Sequence, residues 1–266
     1  MADLAPSPGR HPGSTPAAVM IMGVHGVLRL KPWILQAHDR GDLEEDVFSL
    51  VVKRSVAYGW SSFNPSRGPS AIRWGHNDAG GDWRQDGRVR ELAWLQADIS
   101  VAAGPLGHRP PITPMATVLA DTLALVGDTR LTALHTLIPL STAPDARADL
   151  SQAAAWFALT DPTSHTDLTV TIRTTTPTDP SAIITAARDR TFAQMTVTPT
   201  SLPPAPSPPP TGGIHLNGLN HTHTFHCRPH EWSLNVASWT TEIFTDALRT
   251  TGLTTPALIT VSNQAA

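Results

Sequence analysis

A helix-then-strand pattern occurs twice in this sequence, 125 positions apart. The first copy covers residues 118–127 and the second covers residues 243–252. In each copy an apolar pair precedes an Asp (Asp121 or Asp246), a Leu follows two positions later, and a Gly stands four residues beyond that Leu. Because Gly adopts the left-handed conformation at no steric cost, a Gly at this position is typical of a helix C-terminus. The repeat predicts two related helix-strand units in one chain.

Together with this repeat, the other apolar runs of the sequence predict a complete fold. Read in order, each half gives the series β-α-β-β-α-β, the ferredoxin-like arrangement of four antiparallel strands with two helices on one face. We therefore expect an α+β protein of two tandem ferredoxin-like halves, residues 19–145 and 146–266, with pseudo-twofold symmetry and antiparallel sheets. A disordered tail is expected at residues 1–18, and a proline-rich loop at residues 202–213.

The expected boundaries follow from periodicity, turn residues and caps. Residues 31–42 and 76–87 are interpreted as connections, residues 231–239 have no clear assignment, and Gly23 and Gly26 suggest a bulge in the first strand. The predicted strands are 19–30, 71–74, 89–102, 131–140, 153–159, 168–174, 192–198, 221–227 and 257–261. The predicted helices are 43–58, 118–127, 181–190 and 243–252.

The two predicted halves have a physical reason to associate. A sheet covered by helices on one side leaves its other face apolar, and packing two such faces together buries both. We therefore expect a functional site between the two lobes. The element order resembles one-chain versions of dimeric α+β barrel enzymes, a likeness of fold alone.

Composition and charge narrow the functional classes. The net charge is −3, and only five Arg and no Lys follow Leu150. This is a poor electrostatic footprint for a phosphate backbone, so nucleic-acid binding is not favoured. No apolar run is long enough for a membrane span, and the first 18 residues do not resemble a signal peptide. With Cys227 as the only cysteine, we expect a cytoplasmic protein; the oligomeric state stays open.

Residues 214–231 hold five of the twelve histidines and the only cysteine. On a strand, His221, His223 and Cys227 would share one face. Imidazole and thiolate groups bind divalent metals such as Zn²⁺ or Fe²⁺, and Glu231 or His230 could complete such a site. The alternatives are a Thr/His-rich surface strand in which Cys227 is a small buried apolar group, or a pH switch through clustered imidazoles.

Other polar side chains are candidates for substrate contacts or acid–base chemistry. If the protein is an enzyme, His221, His223 and Cys227 would act as ligands or acid–base groups, and Glu231 is a further catalytic candidate. The candidates for orienting a polar or anionic substrate from the facing lobe are Arg73, Arg90 and Asp98. His135 lies at the position where the second half has Thr260, and is most simply a hydrogen-bonded core histidine.

These observations predict a small-molecule-binding protein or enzyme with its site between the lobes, which a metal at the His/Cys strand could assist. One alternative is an RNA-binding or RNA-processing protein, which needs exposed aromatic and basic residues on one sheet face. Another is a non-catalytic assembly or chaperone-like protein that binds a protein partner, which needs a large exposed apolar patch.

Overall fold

The structure is a computed structural model that describes residues 18–60, 74–99, 110–141, 150–200 and 218–263. Within these ranges, eight strands form one antiparallel sheet. The strands are β1 (Ala18–Leu30), β2 (Trp74–Gly80), β3 (Arg90–Ile99), β4 (Gly127–Ile138), β5 (Leu168–Thr174), β6 (Thr196–Pro199), β7 (His221–Arg228) and β8 (Ala257–Asn263). Their order across the sheet is β2-β3-β1-β4-β8-β5-β7-β6.

Six helices accompany the sheet in the described part of the chain. Two helices begin at a capping side chain. The Asp179 carboxylate accepts a hydrogen bond from the Ser181 N–H, with Pro180 as the first residue of that helix, and the Ser233 hydroxyl accepts a hydrogen bond from the Val236 N–H. The helix predicted at 181–190 is confirmed, since the structure has a helix over Pro180–Arg188. The helices are α1 (Pro32–Arg40), α2 (Val47–Ala57), α3 (Ile112–Val126), α4 (Leu150–Phe157), α5 (Pro180–Arg188) and α6 (Leu234–Thr250).

The four strands of each half lie together, and the halves meet where β4 pairs with β8. The prediction of two sheets packed face to face is therefore wrong, because the strands of both halves belong to one continuous sheet. The side chains on the sheet face that no helix covers explain why no second sheet packs there in the second half. Thr222 and Arg228 on β7 are polar and exposed, so a second sheet would gain little by covering them.

The main core lies between one face of the sheet and the helices. On the two central strands, Leu134, Ile138, Ile259 and Val261 point into this core. The alternate residues point to the opposite face, which we call the helix-free face. There Ile21, Leu219 and Leu258 form a small separate apolar cluster. The helix layer therefore provides most of the buried apolar area.

The pairing is irregular near Gly23 and Gly26, as predicted, but the extra residues are Leu92 of β3 and Thr132 of β4, so the bulges lie in the neighbours of β1 and not in β1 itself. The register of β1 shifts between Val24 and His25 against β3, and between His25 and Gly26 against β4. A Cβ on Gly26 would lie 2.3 Å from the Arg130 carbonyl oxygen, so a side chain there would force β1 and β4 apart. The glycine permits this close approach.

Two segments were predicted with the wrong secondary structure. The expected connection at 31–42 contains α1, which begins with Pro32 and closes at Gly41 with φ of 70°. The expected strand at 153–159 belongs to α4, where consecutive alanines favour a helix.

Several predicted boundaries also change. The strand expected at 192–198 begins only at Thr196, because Phe192 and Ala193 have φ values of 50° and 64° and form a turn. The connection expected at 76–87 starts inside β2, and the unassigned residues 231–239 lead into α6. Gly127 has φ of −170° and opens β4 directly, whereas Gly252 has the expected left-handed conformation with φ of 82°.

Four predictions fall wholly or largely on residues outside the described ranges. They are the disordered tail, of which only Ala18 is described and lies in β1, the strand at 71–74, of which only Trp74 is described and begins β2, the proline-rich loop at 202–213, and the boundary between the halves at 145/146. None of the helices in the described ranges has both the length and the apolar character needed to cross a bilayer.

Candidate functional site

A cavity of about 730 Å³ opens where the two halves meet. Its walls come from β1, the second half of α3, the start of β4, the residues that begin α6, and the end of β8. The first half of the chain therefore supplies one wall, while Trp232, Ser233, Leu234 and Asn263 of the second half supply the other.

Most of the cavity wall is apolar. The side chains that provide this surface are Val24, Ala120, Leu123, Ala124, Leu131, Trp232 and Leu234. The indole of Trp232 is fixed in place, because its Nε1–H donates a hydrogen bond to the Leu131 carbonyl oxygen at 2.9 Å. This bond connects the segment before α6 to β4 and holds a large flat surface against the cavity.

The polar residues of the cavity are few. They are Asp128, Thr129, Arg130, Ser233 and Asn263. The Ser233 hydroxyl is already engaged, since it accepts from the Val236 N–H at 3.2 Å and donates to Glu231 Oε1 at 2.9 Å. The cavity lining includes no His, Cys or Glu. This composition suits the binding of a ligand better than acid–base or nucleophilic chemistry.

Comparison with known proteins gives the cavity no assignment. No known family, curated protein or solved structure matches this chain. What the cavity binds is therefore inferred from the geometry of the residues around it.

A second unusual feature is a buried polar cluster on the helix-free face, formed by His25, Glu91, His135 and Thr260. His25 Nε2 lies 3.4 Å from Glu91 Oε1, and the rings of His25 and His135 have centroids 4.3 Å apart. His135 Nδ1 is 3.0 Å from the Thr260 hydroxyl, which joins the cluster to β8. His25, Glu91 and His135 are all buried, so three ionisable groups lie together away from water.

The electrostatics of this cluster depend on burial and on nearby cations. Burial, followed by the charges of His25 and Arg173, lowers the pKa of His135 to about 3, so its imidazole is neutral at ordinary pH. Neither ring nitrogen of His25 has a hydrogen-bond partner within the described residues. A Cβ on Gly23 would lie 2.5 Å from Glu91 Oε1, so the glycine leaves room for the Glu91 side chain.

Sequence reasoning missed His25 and Glu91. The sequence feature that could have indicated this polar cluster was a histidine between Gly23 and Gly26 in an otherwise apolar strand. Pairing of His25 with Glu91 depends on the register between β1 and β3, which the sequence did not specify. The prediction that His135 is a hydrogen-bonded core histidine is confirmed.

The predicted metal ligands on β7 share one face, as expected, but they are spread along the strand. His221 and Cys227 are six positions apart, which corresponds to roughly 20 Å in a strand. The Cys227 thiol is fully buried in the helix-side core, and burial raises its pKa far above the ordinary value. Across the described ranges, no group of three or more His, Cys, Asp or Glu residues could hold a metal ion.

The remaining candidates do not converge on one site. Arg90 forms ion pairs with Asp82 and Asp86, which include a hydrogen bond of 2.8 Å to Asp82, and these interactions occupy its guanidinium. Asp98 accepts from the Asn77 amide at 3.2 Å, and burial raises its pKa. Glu231 accepts from the Ser233 hydroxyl. Arg73 lies outside the described residues.

The helix-free face of the second half offers little to single-stranded RNA. Sheet-based RNA recognition stacks bases on aromatic side chains, usually on the two central strands of the module. The corresponding side chains on β5 and β7 are Thr169, Thr171, Arg173, Thr222, Thr224, His226 and Arg228. Because none of these side chains is a Phe, Tyr or Trp, the RNA-binding alternative lacks its stacking surface here.

The partner-binding alternative requires a continuous apolar patch. The large apolar side chains that are exposed in the described ranges lie on or beside α1, α2, α3, α4 and α5, and only a few belong to any one helix. They are Trp33, Phe48, Val56, Tyr58, Leu125, Trp156, Leu159 and Phe192. Single exposed apolar residues are common on soluble surfaces and do not by themselves define an interface.

Proposed function

We propose that this protein binds a small, largely apolar molecule in the cavity between α3 and the start of α6. The observation that carries the proposal is the cavity itself, a space of about 730 Å³ with a mostly apolar lining and a polar margin. Ligand sites in proteins commonly enclose about 300–1,000 Å³ and combine apolar walls with a few polar groups. Arg130 and Asn263 would contact a polar end of the ligand.

The position of the cavity supports this proposal. Both halves contribute walls, and the Trp232 indole spans the junction through its hydrogen bond to β4. Ligand sites often lie at such junctions, because two packed units seldom complement one another along their whole boundary. A site between the lobes therefore remains the preferred interpretation, although it lies beside the helix layer and not between two sheets.

We also propose that the halves are two copies of one ferredoxin-like unit. Within each half the strands lie in the order fourth, first, third, second, counted along the chain. The pairing of β4 with β8 places His135 opposite Thr260, and these two residues are separated by the 125 positions of the repeat. A pseudo-twofold axis through this pair accounts for both observations.

The binding proposal can be tested with the fluorescent probe 8-anilinonaphthalene-1-sulfonate, which has an apolar body and an anionic group. Wild-type protein is titrated beside Ala124→Phe, which adds a large side chain at the cavity wall. The matched control is Ala155→Phe, because Ala155 is exposed on α4 and outside the cavity lining. We expect saturable binding of one probe per chain and an affinity about tenfold lower in Ala124→Phe only.

Two results would contradict the proposal. One is the absence of saturable probe binding by folded wild-type protein. The other is equal binding by wild type, Ala124→Phe and Ala155→Phe, since the probe would then bind outside the cavity. Circular dichroism must show the same secondary structure in all three proteins, because loosely packed states also bind this probe.

A further inference from the structure

The first half of β4 forms an open strand edge beside the cavity. On one side, β1 pairs with nearly the whole of β4. On the other side, β8 pairs with β4 from Ala133 onward, and β8 ends at Asn263. Residues 127–131 of β4 therefore extend past the end of β8, and all five line the cavity. A strand edge of this kind can accept an added strand.

Backbone groups on this edge point towards the cavity. The Lys31 N–H donates to the Val126 carbonyl oxygen at 2.9 Å, so the backbone of Val126 faces β1. In an antiparallel ladder the backbone faces its two neighbours alternately, so Thr129 and Leu131 face away from β1. Leu131 agrees with this alternation, because its carbonyl oxygen accepts from the Trp232 indole of the second half.

The Thr129 backbone is the free part of this edge. The Leu131 carbonyl is occupied by the Trp232 indole, and the Gly127 N–H donates to the Leu123 carbonyl at the end of α3. In the part of the chain that the structure describes, the outward N–H and carbonyl of Thr129 have no partner within the protein. Thr129 thus presents one donor and one acceptor side by side, the pair of groups that a residue of an antiparallel strand offers its partner.

The length of the edge fits a short peptide. Residues 127–131 span four steps of about 3.3 Å, roughly 13 Å in all, which is the length of three or four residues of an extended chain. The cavity beside them provides about 730 Å³. A peptide bound there would occupy the position next to β4 that β8 occupies further along the strand, so it would continue an existing pairing of the sheet.

The cavity wall indicates which side chain such a peptide carries. Thr129 pairs with Leu28, which belongs to the helix-side core, so the Thr129 side chain lies on the helix side of the sheet. Paired residues share a face, so the peptide residue opposite Thr129 also points to the helix side. There the wall is formed by Leu123, Leu234 and the Trp232 indole. An apolar side chain fits these surroundings.

We propose that the ligand of this cavity is an extended peptide segment of about three residues, apolar at its centre, that adds to β4 as a short antiparallel strand opposite Thr129. This names the class of ligand for the site and rests on the function proposed above for the location of that site. Main-chain hydrogen bonds would hold the peptide, and the apolar wall would select its central side chain. An apolar ligand without amide groups would leave the Thr129 backbone groups unpaired.

The experiment uses the blocked tripeptide acetyl-Thr-Leu-Thr-amide. Its matched control is the same peptide with a methyl group on the leucine nitrogen, which keeps the apolar side chain and removes the N–H that donates to the Thr129 carbonyl. Calorimetric titration measures the affinity of both peptides for wild type, for Ala124→Phe at the cavity wall, and for Ala155→Phe on the exposed side of α4. Amide hydrogen exchange, followed by nuclear magnetic resonance, reports on the Thr129 N–H, with the Arg130 N–H on the β1 side as internal control.

We expect saturable binding of the unmethylated peptide by wild type and Ala155→Phe. Methylation of the peptide and the Ala124→Phe substitution should each weaken binding about tenfold or more, since one removes a hydrogen bond and adds bulk at the edge, and the other fills the cavity. When about nine-tenths of the protein is bound, exchange of the Thr129 N–H should slow about tenfold, because only the free fraction exchanges. Exchange of the Arg130 N–H should not change.

Four results would overturn the proposal. They are no saturable binding of the unmethylated peptide by folded wild type, equal affinity for the two peptides, equal binding by Ala124→Phe and wild type, and unchanged exchange of the Thr129 N–H in the bound state. If Ala124→Phe does not fold, the comparison of the two peptides and the exchange rates in wild type decide the question.

The fluorescent probe 8-anilinonaphthalene-1-sulfonate separates this proposal from the function proposed above. If the probe binds in the cavity and the peptide does not bind, the peptide proposal fails and the binding of small apolar molecules stands. If the peptide binds and protects the Thr129 N–H while the probe does not bind, the peptide site stands and the broader proposal of a site for small apolar molecules fails.

Discussion

Helices α3 and α6 carry the same short sequence pattern, yet they occupy very different surroundings. Every residue from Val236 to Leu248 of α6 is buried, while α3 leaves Thr113, Ala124 and Leu125 exposed. The repeated Asp shows the same contrast. Asp121 on α3 is partly exposed and binds Arg54 and Tyr58, whereas Asp246 on α6 is buried.

The neighbours of the two helices explain the difference. α6 is flanked by α3 and α5, and α4 also packs against it through Phe157 and Trp239, whose ring centroids are 4.9 Å apart. α3 has α2 and α6 as its flanking helices. Two copies of one pattern can therefore have different burial when a connecting helix covers only one of them. Four measurements test this difference between the two halves.

The largest effect is expected at the contact between α4 and α6. Trp239 is 3% exposed, and replacing it with Ala should lower the free energy of unfolding by about 3–5 kcal/mol through loss of buried apolar contacts and formation of a cavity. Trp156→Ala on α4 is the matched control, because this indole is 67% exposed and its removal should cost less than about 0.5 kcal/mol. Urea unfolding measures both values, and similar losses would show that α4 does not cover α6.

The second measurement compares His135 with its counterpart Thr260. The pKa of His135 is lowered from 6.5 to about 3, so the unfolded chain binds a proton at higher pH than the folded protein does. Stability should therefore fall as pH decreases from about 6.5 towards 3, and by about 3 kcal/mol from this residue at pH 4. His135→Thr copies the second half and should lose this acid sensitivity. Identical pH profiles of unfolding for the two proteins would contradict the shift.

The third measurement compares the two glycines of the repeat. Gly252 has φ of 82°, so Gly252→Ala should cost about 1 kcal/mol, and Gly252→Asn less because Asn tolerates this conformation. At Gly127 a Cβ would lie 2.3 Å from the Arg29 carbonyl oxygen, so Ala and Asn should both cost more than about 1 kcal/mol. Recovery of stability by Asn at Gly127 would show that conformation, and not close approach, is the constraint there.

The smallest effect is expected where α2 meets α3. The Asp121 carboxylate accepts from Arg54 Nε at 2.8 Å and from the Tyr58 hydroxyl at 2.5 Å. Burial opposes ionisation of Asp121, but these hydrogen bonds prevail and lower its pKa. Because the pair is partly exposed, Asp121→Asn should cost little, and added salt should remove most of the difference. Thermal unfolding at low and high salt measures it, and a large loss that persists in salt would indicate a buried pair.

The sequence predicted the elements whose signals are local. A run of β-branched and apolar residues identified β1, and the Asp179-Pro180 cap identified α5. α1 and α4 were not predicted as helices, although α1 begins with a proline and α4 contains a run of alanines. The shared face of His221, His223 and Cys227 was also predictable, since it depends only on the alternation of a strand.

The repeated pattern, most strands and the long helices could be predicted from the amino-acid sequence alone, because caps and periodicity act over a few residues. The sequence did not predict that β4 pairs with β8, that His25 lies against Glu91 and His135, or that Trp232 lines a cavity beside β4, and these contacts are visible only in the folded chain. These contacts join residues far apart in the chain. They depend on the register and relative position of whole elements, which are set by packing of the entire core rather than by any local signal.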